Sequence, residues 1–237
     1  MSADTFSNIL AIDTAASVFS LALGTAGGQY YFEADAGQRH SQLVMDMADF
    51  LLKKAGIKPA ELSLVACMNG PGSFTGLRIG FSCAKGLALS LDIPFIAVPS
   101  LDCMAYPYSM WPGLVLPAID ARKKSFFCAL YSAGVRITDD MDASAETIAG
   151  KISEVSCGQE QERRLLVAGP DGEKLCAALR KMTGVNDYSI MYTVSRTGSA
   201  RELLAIAKTR KASANSVYFN CGPEYLRKSD AEINAGK

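Results

Sequence analysis

A short apolar strand that runs directly into a glycine-rich turn and a long helix is the feature that most restricts this chain. Leu62 to Met68 reads as the strand and Asn69-Gly70-Pro71-Gly72-Ser73-Phe74-Thr75-Gly76 as the turn. Thr75 to about Leu91 reads as the helix, and Phe95 to Val98, opened by Pro94, as a second strand. Strand, helix and strand in this order form a parallel crossover, which is right-handed in nearly all proteins. The segment before it is built differently. Residues 8–13 form an apolar run ending in Asp13, Val18 to Gly24 alternates as a strand, Gly27-Gly28 turns, and Gln29 to Glu33 returns. That is an antiparallel meander. A meander joined to a parallel crossover implies a mixed sheet with helices packed on it, an α/β fold.

A helix separates the two, with Ser41 as its N-cap, Leu43, Met47, Phe50 and Leu51 at helical spacing, and a stop near Gly56 with Pro59 beyond. Two prolines and a glycine among aromatics at 104–113 mark a lobe boundary. It divides the chain into an N-terminal lobe, 1–105, and a C-terminal lobe, 106–237. Past the boundary the order of elements repeats. Leu114 to Asp120 is an apolar run ending in an acid, Ala121 to Lys124 is a charged turn, and Ser125 to Tyr131 returns. Ser132-Ala133-Gly134 then closes a second hairpin. Residues 139–164 predict a short helix and loop, followed by a strand at 165–169, a helix to about Met182, a strand near 189–193 and a helix from Ser199 to about Lys211.

Composition removes several kinds of chemistry. The 237 residues carry 24 basic and 24 acidic side chains and one histidine, His40. Zero net charge argues against a polyanion-binding surface spread over the whole molecule. A single histidine excludes a His-pair metal site within the chain, and any Ser-His-Asp or Cys-His device would have to use His40. The seven cysteines are odd in number, include no C-x-x-C, and lie partly in apolar runs. They read as small buried hydrophobes of a reducing compartment, with no disulfide framework or zinc knuckle. No signal peptide and no membrane-spanning run are read, so a cytoplasmic protein is expected.

Four features could carry chemistry. The Gly70–Gly76 loop either presents backbone N–H groups to an anion or is a tight turn in which Ser73 or Thr75 caps the long helix. It is neither a Walker A loop nor G-x-G-x-x-G. Gly76, Gly80, Ala84 and Ala88 form a small-residue stripe on that helix, facing either the underlying sheet or a helix of another chain. Asp13 and Asp120, each ending a strand, either hold a metal or water or bond to local backbone. Arg201, Lys208, Arg210, Lys211, Arg227 and Lys228 are the best candidate basic patch, against a solvated helix face. His40 reads as the lead-in to a helix, and Arg122-Lys123-Lys124 as a solvated hairpin tip.

Ile12-Asp13-Thr14-Ala15, His40-Ser41-Gln42-Leu43, Gly70-Pro71-Gly72-Ser73-Phe74-Thr75-Gly76-Leu77-Arg78, Asp120-Ala121-Arg122 and Pro223-Glu224-Tyr225-Leu226-Arg227 together resemble the TsaB (YeaZ) family of tRNA threonylcarbamoyladenosine biosynthesis. The resemblance is dense from about residue 8 to 123 and returns in the tail. It implies a two-lobed actin-like fold (ASKHA, similar to sugar kinases and Hsp70) with mixed sheets flanked by helices. It also implies a non-catalytic subunit that scaffolds and activates a TsaD-like transferase, joined by a TsaE-like ATPase, for threonylcarbamoyl transfer to the adenosine beside the anticodon. No catalytic, cofactor or metal residue is expected, and tRNA is met mainly through the complex. TsaD holds its metal through His-x-x-x-His, which a chain with one histidine cannot form. Asp13-Thr14-Ala15-Ala16-Ser17 lacks the glycine that actin-like ATPases use to approach a phosphate. Family members pair through N-lobe helices, which makes Leu43, Met47, Phe50, Gly76, Gly80, Ala84 and Ala88 the expected contacts with the partner, or with a second copy when the partner is absent. The motif loop contributes Gly70, Pro71, Gly72, Ser73, Thr75, Gly76 and Arg78. The alternatives are an ATP-dependent small-molecule kinase of the same fold and a metallopeptidase.

Overall fold

The computed structural model describes residues 7–37, 39–156, 163–193, 197–210 and 222–227. Strand β1 (Ile9–Asp13) is buried at every position. It pairs antiparallel with β2 (Val18–Thr25), which pairs antiparallel with β3 (Gly28–Asp35). After helix α1 (His40–Ala55), strand β4 (Leu64–Gly70) lies parallel to β1. Helix α2 (Phe74–Leu91) then crosses to β5 (Phe95–Pro99), parallel to β4. The sheet order is β3-β2-β1-β4-β5, a meander joined to a crossover. Helix α3 (Ser100–Ala105) follows directly.

The second sheet repeats that order. Strand β6 (Leu114–Asp120) pairs antiparallel with β7 (Ser125–Cys128). The small strands β8 (Tyr131–Ser132) and β9 (Val135–Arg136) form a hairpin on β6. Strand β10 (Met141–Ser144) pairs antiparallel with β7 and leads into α4 (Ala145–Val155). Then β11 (Arg164–Ala168), α5 (Gly172–Leu179) and β12 (Ser189–Tyr192) complete a parallel half. The order β10-β7-β6-β11-β12 matches the first sheet strand for strand. Each unit is thus a meander joined to a parallel crossover, the order that the resemblance to an actin-like α/β fold implies. Strand β10 escapes the sequence because it is a polar edge segment. Only Ala143 is buried, and Ser144 serves as N-cap of α4, its Oγ accepting from Thr147 N at 3.2 Å.

The last described helix, α6 (Ala200–Thr209), explains the two-sided burial of β1. Successive strand residues face opposite sides. Leu10 and Ile12 join Phe19, Leu21, Val44, Leu51, Phe81 and Ala84 under α1 and α2. Ile9 and Ala11 join Ala22, Leu64, Ala66, Leu203 and Leu204 under α6. The first compact unit therefore comprises residues to Cys103 together with Gly198–Glu224, and the second comprises 104–197 with the tail from Tyr225. A division at 105/106 misses this return, because it is the apolar face of α6, not chain order, that assigns the helix to a sheet. The second unit has its own core, in which Leu116, Phe126, Ile148, Ile152, Val167, Leu175 and Leu179 meet.

The small-residue stripe of α2 faces inward. A Cβ placed on Gly80 would lie 2.2 Å from Thr14 Oγ1, and Ala84 and Ala88 are fully buried in the α1–α2 core. Gly80→Ala is expected to lower unfolding free energy by about 1–3 kcal/mol through overpacking. Thr14→Ala in the same chain should restore part of that loss. A double-mutant cycle in urea with no coupling between the two positions would contradict the contact.

Candidate functional site

Four consecutive residues starting at the end of β1, Asp13 to Ala16, tie the first unit together. Asp13, 2% exposed, accepts hydrogen bonds from Ala15 N (3.0 Å), Ser20 Oγ (3.2 Å) and Ser199 N (2.8 Å). Ser20 Oγ in turn accepts from Ala200 N at 3.1 Å, so two orphan N–H groups at the start of α6 end on this pair. Gly198 N adds a bond to Glu33 Oε2 at 2.8 Å. Thr14 Oγ1 donates to Gly76 O at 2.7 Å, and Ala15 O accepts from Ser73 N at 2.7 Å. Ala16 O lies 3.0 Å from His40 Nε2. A carbonyl only accepts, so that nitrogen carries the proton. His40, the first residue of α1, is buried with its ring edge-on to Phe19. The helix therefore begins one residue before Ser41, and its cap position, Arg39, makes no side-chain cap bond.

The glycine-rich loop closes onto the same turn. Ser73 is the N-cap of α2, its Oγ accepting from Gly76 N at 3.2 Å. A Cβ on Gly72 would lie 2.5 Å from Ala15 O, and one on Gly76 would lie 2.0 Å from Thr14 O. Gly70 has φ 120°, and a Cβ there would meet Glu224 O at 2.4 Å. Glu224 N donates to Asn69 O at 2.6 Å. The bond between Gly70 and the buried Pro71 is cis. Thr75 and Arg78 are exposed, with the Arg78 guanidinium 3.9 Å from the Phe74 ring centre. Of the two readings of the loop, the helix-cap turn describes it. The N–H groups of Ser73 and Gly76 bond within the protein, and the glycines admit backbone rather than an anion. Gly76, Gly80, Ala84 and Ala88, expected at a partner contact, instead face inward, the glycines against Thr14 and the alanines in the core under the helices.

Asp120, the matching acid of the second unit, is also committed. It forms an ion pair with Lys174 and accepts from Arg122 N at 2.8 Å, while its own N donates to Asp171 Oδ2 at 2.8 Å. Partial burial opposes ionisation, but the Lys174 ammonium and the Arg122 N–H hold the carboxyl below its ordinary range. Nearby, Arg227 of the tail bonds both oxygens of Asp142 at 2.7 Å and donates to Ala121 O and Ser125 Oγ at 2.8 and 2.6 Å. Among the described residues, no three His, Cys, Asp or Glu side chains gather as a metal site requires. The oxygens of both strand-end acids accept bonds from the chain itself, those of Asp13 from Ala15 N, Ser20 Oγ and Ser199 N and those of Asp120 from Arg122 N and Lys174. Burial pushes the Cys128 thiol up to about 12, which makes it inert.

The sequence missed Ser20 and Ser199 as partners of Asp13. The hydroxyl of Ser20 inside the apolar stretch Val18–Leu23 was the available signal, since a buried hydroxyl needs a partner. The outer side of α1 and α2 is partly apolar. Met45, Phe50 and Leu89 are 47%, 44% and 62% exposed, and Leu43 and Met47 are half-buried at the core edge. Two cations of the candidate basic patch are engaged locally. Arg201 lies over the Tyr31 ring at 4.3 Å, and Arg210 reaches Ala97 O at 3.3 Å and Asp102 at 3.9 Å. Lys211 and Lys228 lie outside the described residues. No described helix is long and apolar enough to cross a membrane.

Residues 34–235 match the family model described as TsaD, tRNA N6-adenosine threonylcarbamoyltransferase. The tRNA threonylcarbamoyladenosine biosynthesis protein TsaB of Bacillus subtilis (strain 168) is 30% identical over 227 residues, 94% of this chain and 96% of that protein. The TsaB of Escherichia coli (strain K12) is 40% identical over 126 residues, 52% of this chain and 54% of its own length. The solved structure of YeaZ from Pseudomonas aeruginosa superposes with a TM-score of 0.68 at 25% identity, covering 85% of this chain and 90% of that one.

Burial raises the Asp13 carboxyl above its ordinary 3.8, against the lowering effect of the Ser199 and Ala15 N–H groups and the Ser20 hydroxyl. Asp13→Ala orphans these donors and should lower stability by about 2–4 kcal/mol. The folded state holds the Asp13 proton more tightly than the unfolded state. Its contribution is therefore largest below pH 3.8 and falls as pH rises through the elevated folded value. The gap in urea stability between the two proteins should narrow as pH rises from 3.8 through that range, and a widening gap would contradict the assignment.

Proposed function

This chain belongs to the TsaB family of tRNA threonylcarbamoyladenosine biosynthesis proteins, and we propose that it is a non-catalytic subunit that binds and activates a TsaD-like threonylcarbamoyltransferase. The observation that carries this reading is the closure of the Asp13 turn. The acid best placed by the fold for metal or phosphate chemistry is spent on the first N–H group of α6 and on Ser20. A site filled by the chain's own backbone favours a role in binding over a role in turnover. The chain adds no cofactor of its own, and a TsaE-like ATPase supplies nucleotide chemistry to the complex.

The surface that suits the partner is the outer side of α1 and α2. Phe50 offers a large apolar side chain on the helical face it shares with Leu43 and Met47 at the core edge, and Met45 and Leu89 are further exposed apolar side chains of the two helices. Large apolar and aromatic side chains of this kind dominate interface energetics, and burying them is the main favourable term. The same face joins two copies of the chain when the partner is absent. The complex meets tRNA in the cytoplasm, mainly through the transferase.

Met45→Asp with Phe50→Asp should weaken the complex with the TsaD-like subunit by at least about tenfold, read by calorimetry, with the melting temperature held. Reconstituted threonylcarbamoylation of tRNA should fall in step, and omission of the chain should abolish it. Full assembly by the double variant would place the interface elsewhere. Full activity without the chain would end the subunit reading.

A further inference from the structure

Strand β3 ends the first sheet, and among the described residues no strand pairs with its outer edge. An open edge is a template for another strand, and proteins guard such edges by keeping them short or by placing proline, lysine or a bulge there. The other sheet ends follow that rule. Strand β5 is five residues long, ends in Pro99 and meets β4 with a register shift, and β10 and β12 are four residues each. Strand β3 has none of these guards. It runs for eight residues without proline or lysine, and its register against β2 is unbroken.

The residues along this edge are complementary to themselves. Cross-strand partners share a face of the sheet. Tyr31 and Glu33 stand opposite Ala22 and Ser20 of β2, so they lie on the α6 side, joined by Gln29 and Asp35 through strand alternation. All four are exposed. Tyr30 and Phe32 lie on the α1 side, half-buried against its core. The first half of the exposed row carries no acid. The Tyr31 hydroxyl donates to Gln29 Oε1, and the Arg201 guanidinium lies 4.3 Å from the Tyr31 ring centre. The second half is acidic, with Glu33 Oε2 held by Gly198 N at 2.8 Å and Asp35 two residues on.

We propose that the β3 edge joins two copies of this chain, antiparallel about a twofold axis at Phe32, so that one sheet runs through both. An isologous contact needs a patch that complements itself, and this register supplies one. Tyr31 with its stacked Arg201 meets Glu33 of the second copy, the Gln29 amide N–H groups meet Asp35, Tyr30 meets Ala34, and the two Phe32 rings are neighbours. A slip of one residue would turn the α6 side of one copy toward the α1 side of the other. An axis at Glu33 would set two like carboxylates against each other, and an axis at Tyr31 would carry Asp35 past the start of the opposite strand. The contact uses none of the residues proposed for the transferase, so it is distinct from the α1–α2 face and stands independently of that reading.

The test uses the full chain. Sedimentation equilibrium of the native protein should show a reversible dimer, and the amides of residues 29–35 should exchange more slowly as concentration rises. Gln29→Asp sets like charges against Asp35 twice in each dimer, and should raise the dimer dissociation constant by about tenfold with the circular dichroism spectrum unchanged. Adding Asp35→Lys restores opposite charges and should recover most of that loss. Met45→Asp with Phe50→Asp should leave the association in place. A native chain that stays monomeric, or a dimer indifferent to Gln29→Asp, would overturn the proposal. A charge swap that fails to rescue would overturn the register and the contact with it. Loss of self-association in the Met45 and Phe50 variant alone would assign it to the α1–α2 face instead. A monomeric chain that binds a Lys-Val repeat peptide, with protection of the same amides, would give the edge to another occupant and equally end the second-copy reading.

Discussion

The first unit depends on what the four residues from Asp13 to Ala16 hold. Through them the end of β1 binds the start of α6 (Asp13), the first turn of α2 (Thr14), the loop before it (Ala15) and the start of α1 (Ala16). The Asp13 and Thr14 bonds are buried, so an unmet partner there would leave a buried polar group with the full desolvation penalty. Asp13 is the most demanding of these groups, because a buried charge requires several donors at once. The chain meets that demand by bringing a helix N-terminus back from residue 199. The apolar face of α6 then covers the second side of the sheet with Leu203, Leu204 and Ala207.

The two units show what this device adds. They share a strand order, and each ends its first strand in an acid. In the second unit the acid is half-buried and answered by a lysine at the surface, so its environment remains polar. In the first unit the acid is sealed by backbone. One architecture therefore carries two solutions to the same strand-end charge. The sealed one fixes the segment that returns from residue 199, and the open one pairs with a lysine of α5 at the surface.

Much of this was legible in the residues. The meander, the crossover and their repetition follow from apolar runs, turns and one glycine-rich loop, and the strand order bears them out. Strand β10 was not legible, because a polar edge strand needs only Ala143 inside. The return of α6 was not legible either. Its amphipathic pattern shows that it packs on something, but nothing local says on which sheet. For a similar reason the Gly76–Ala88 stripe was open to two directions from its residues alone, and the resemblance turned it toward a partner. Small residues record that something comes close, and only the position of Thr14 tells what does.

The placement of glycine then bears on function. A first turn that cradles a phosphate needs small residues so that backbone can approach the ligand. Here that turn is Thr14-Ala15-Ala16-Ser17, and the glycines stand opposite it at 72, 76 and 80. The close approach is kept, but it is made by the protein to itself, with Thr14 and Ala15 occupying the space that a Cβ on those glycines would fill. A turnover site has to exchange its contents, whereas this one is filled by groups that cannot leave. What the arrangement secures is a rigid base for α1 and α2, so that docking through these helices, as proposed, would cost little ordering entropy.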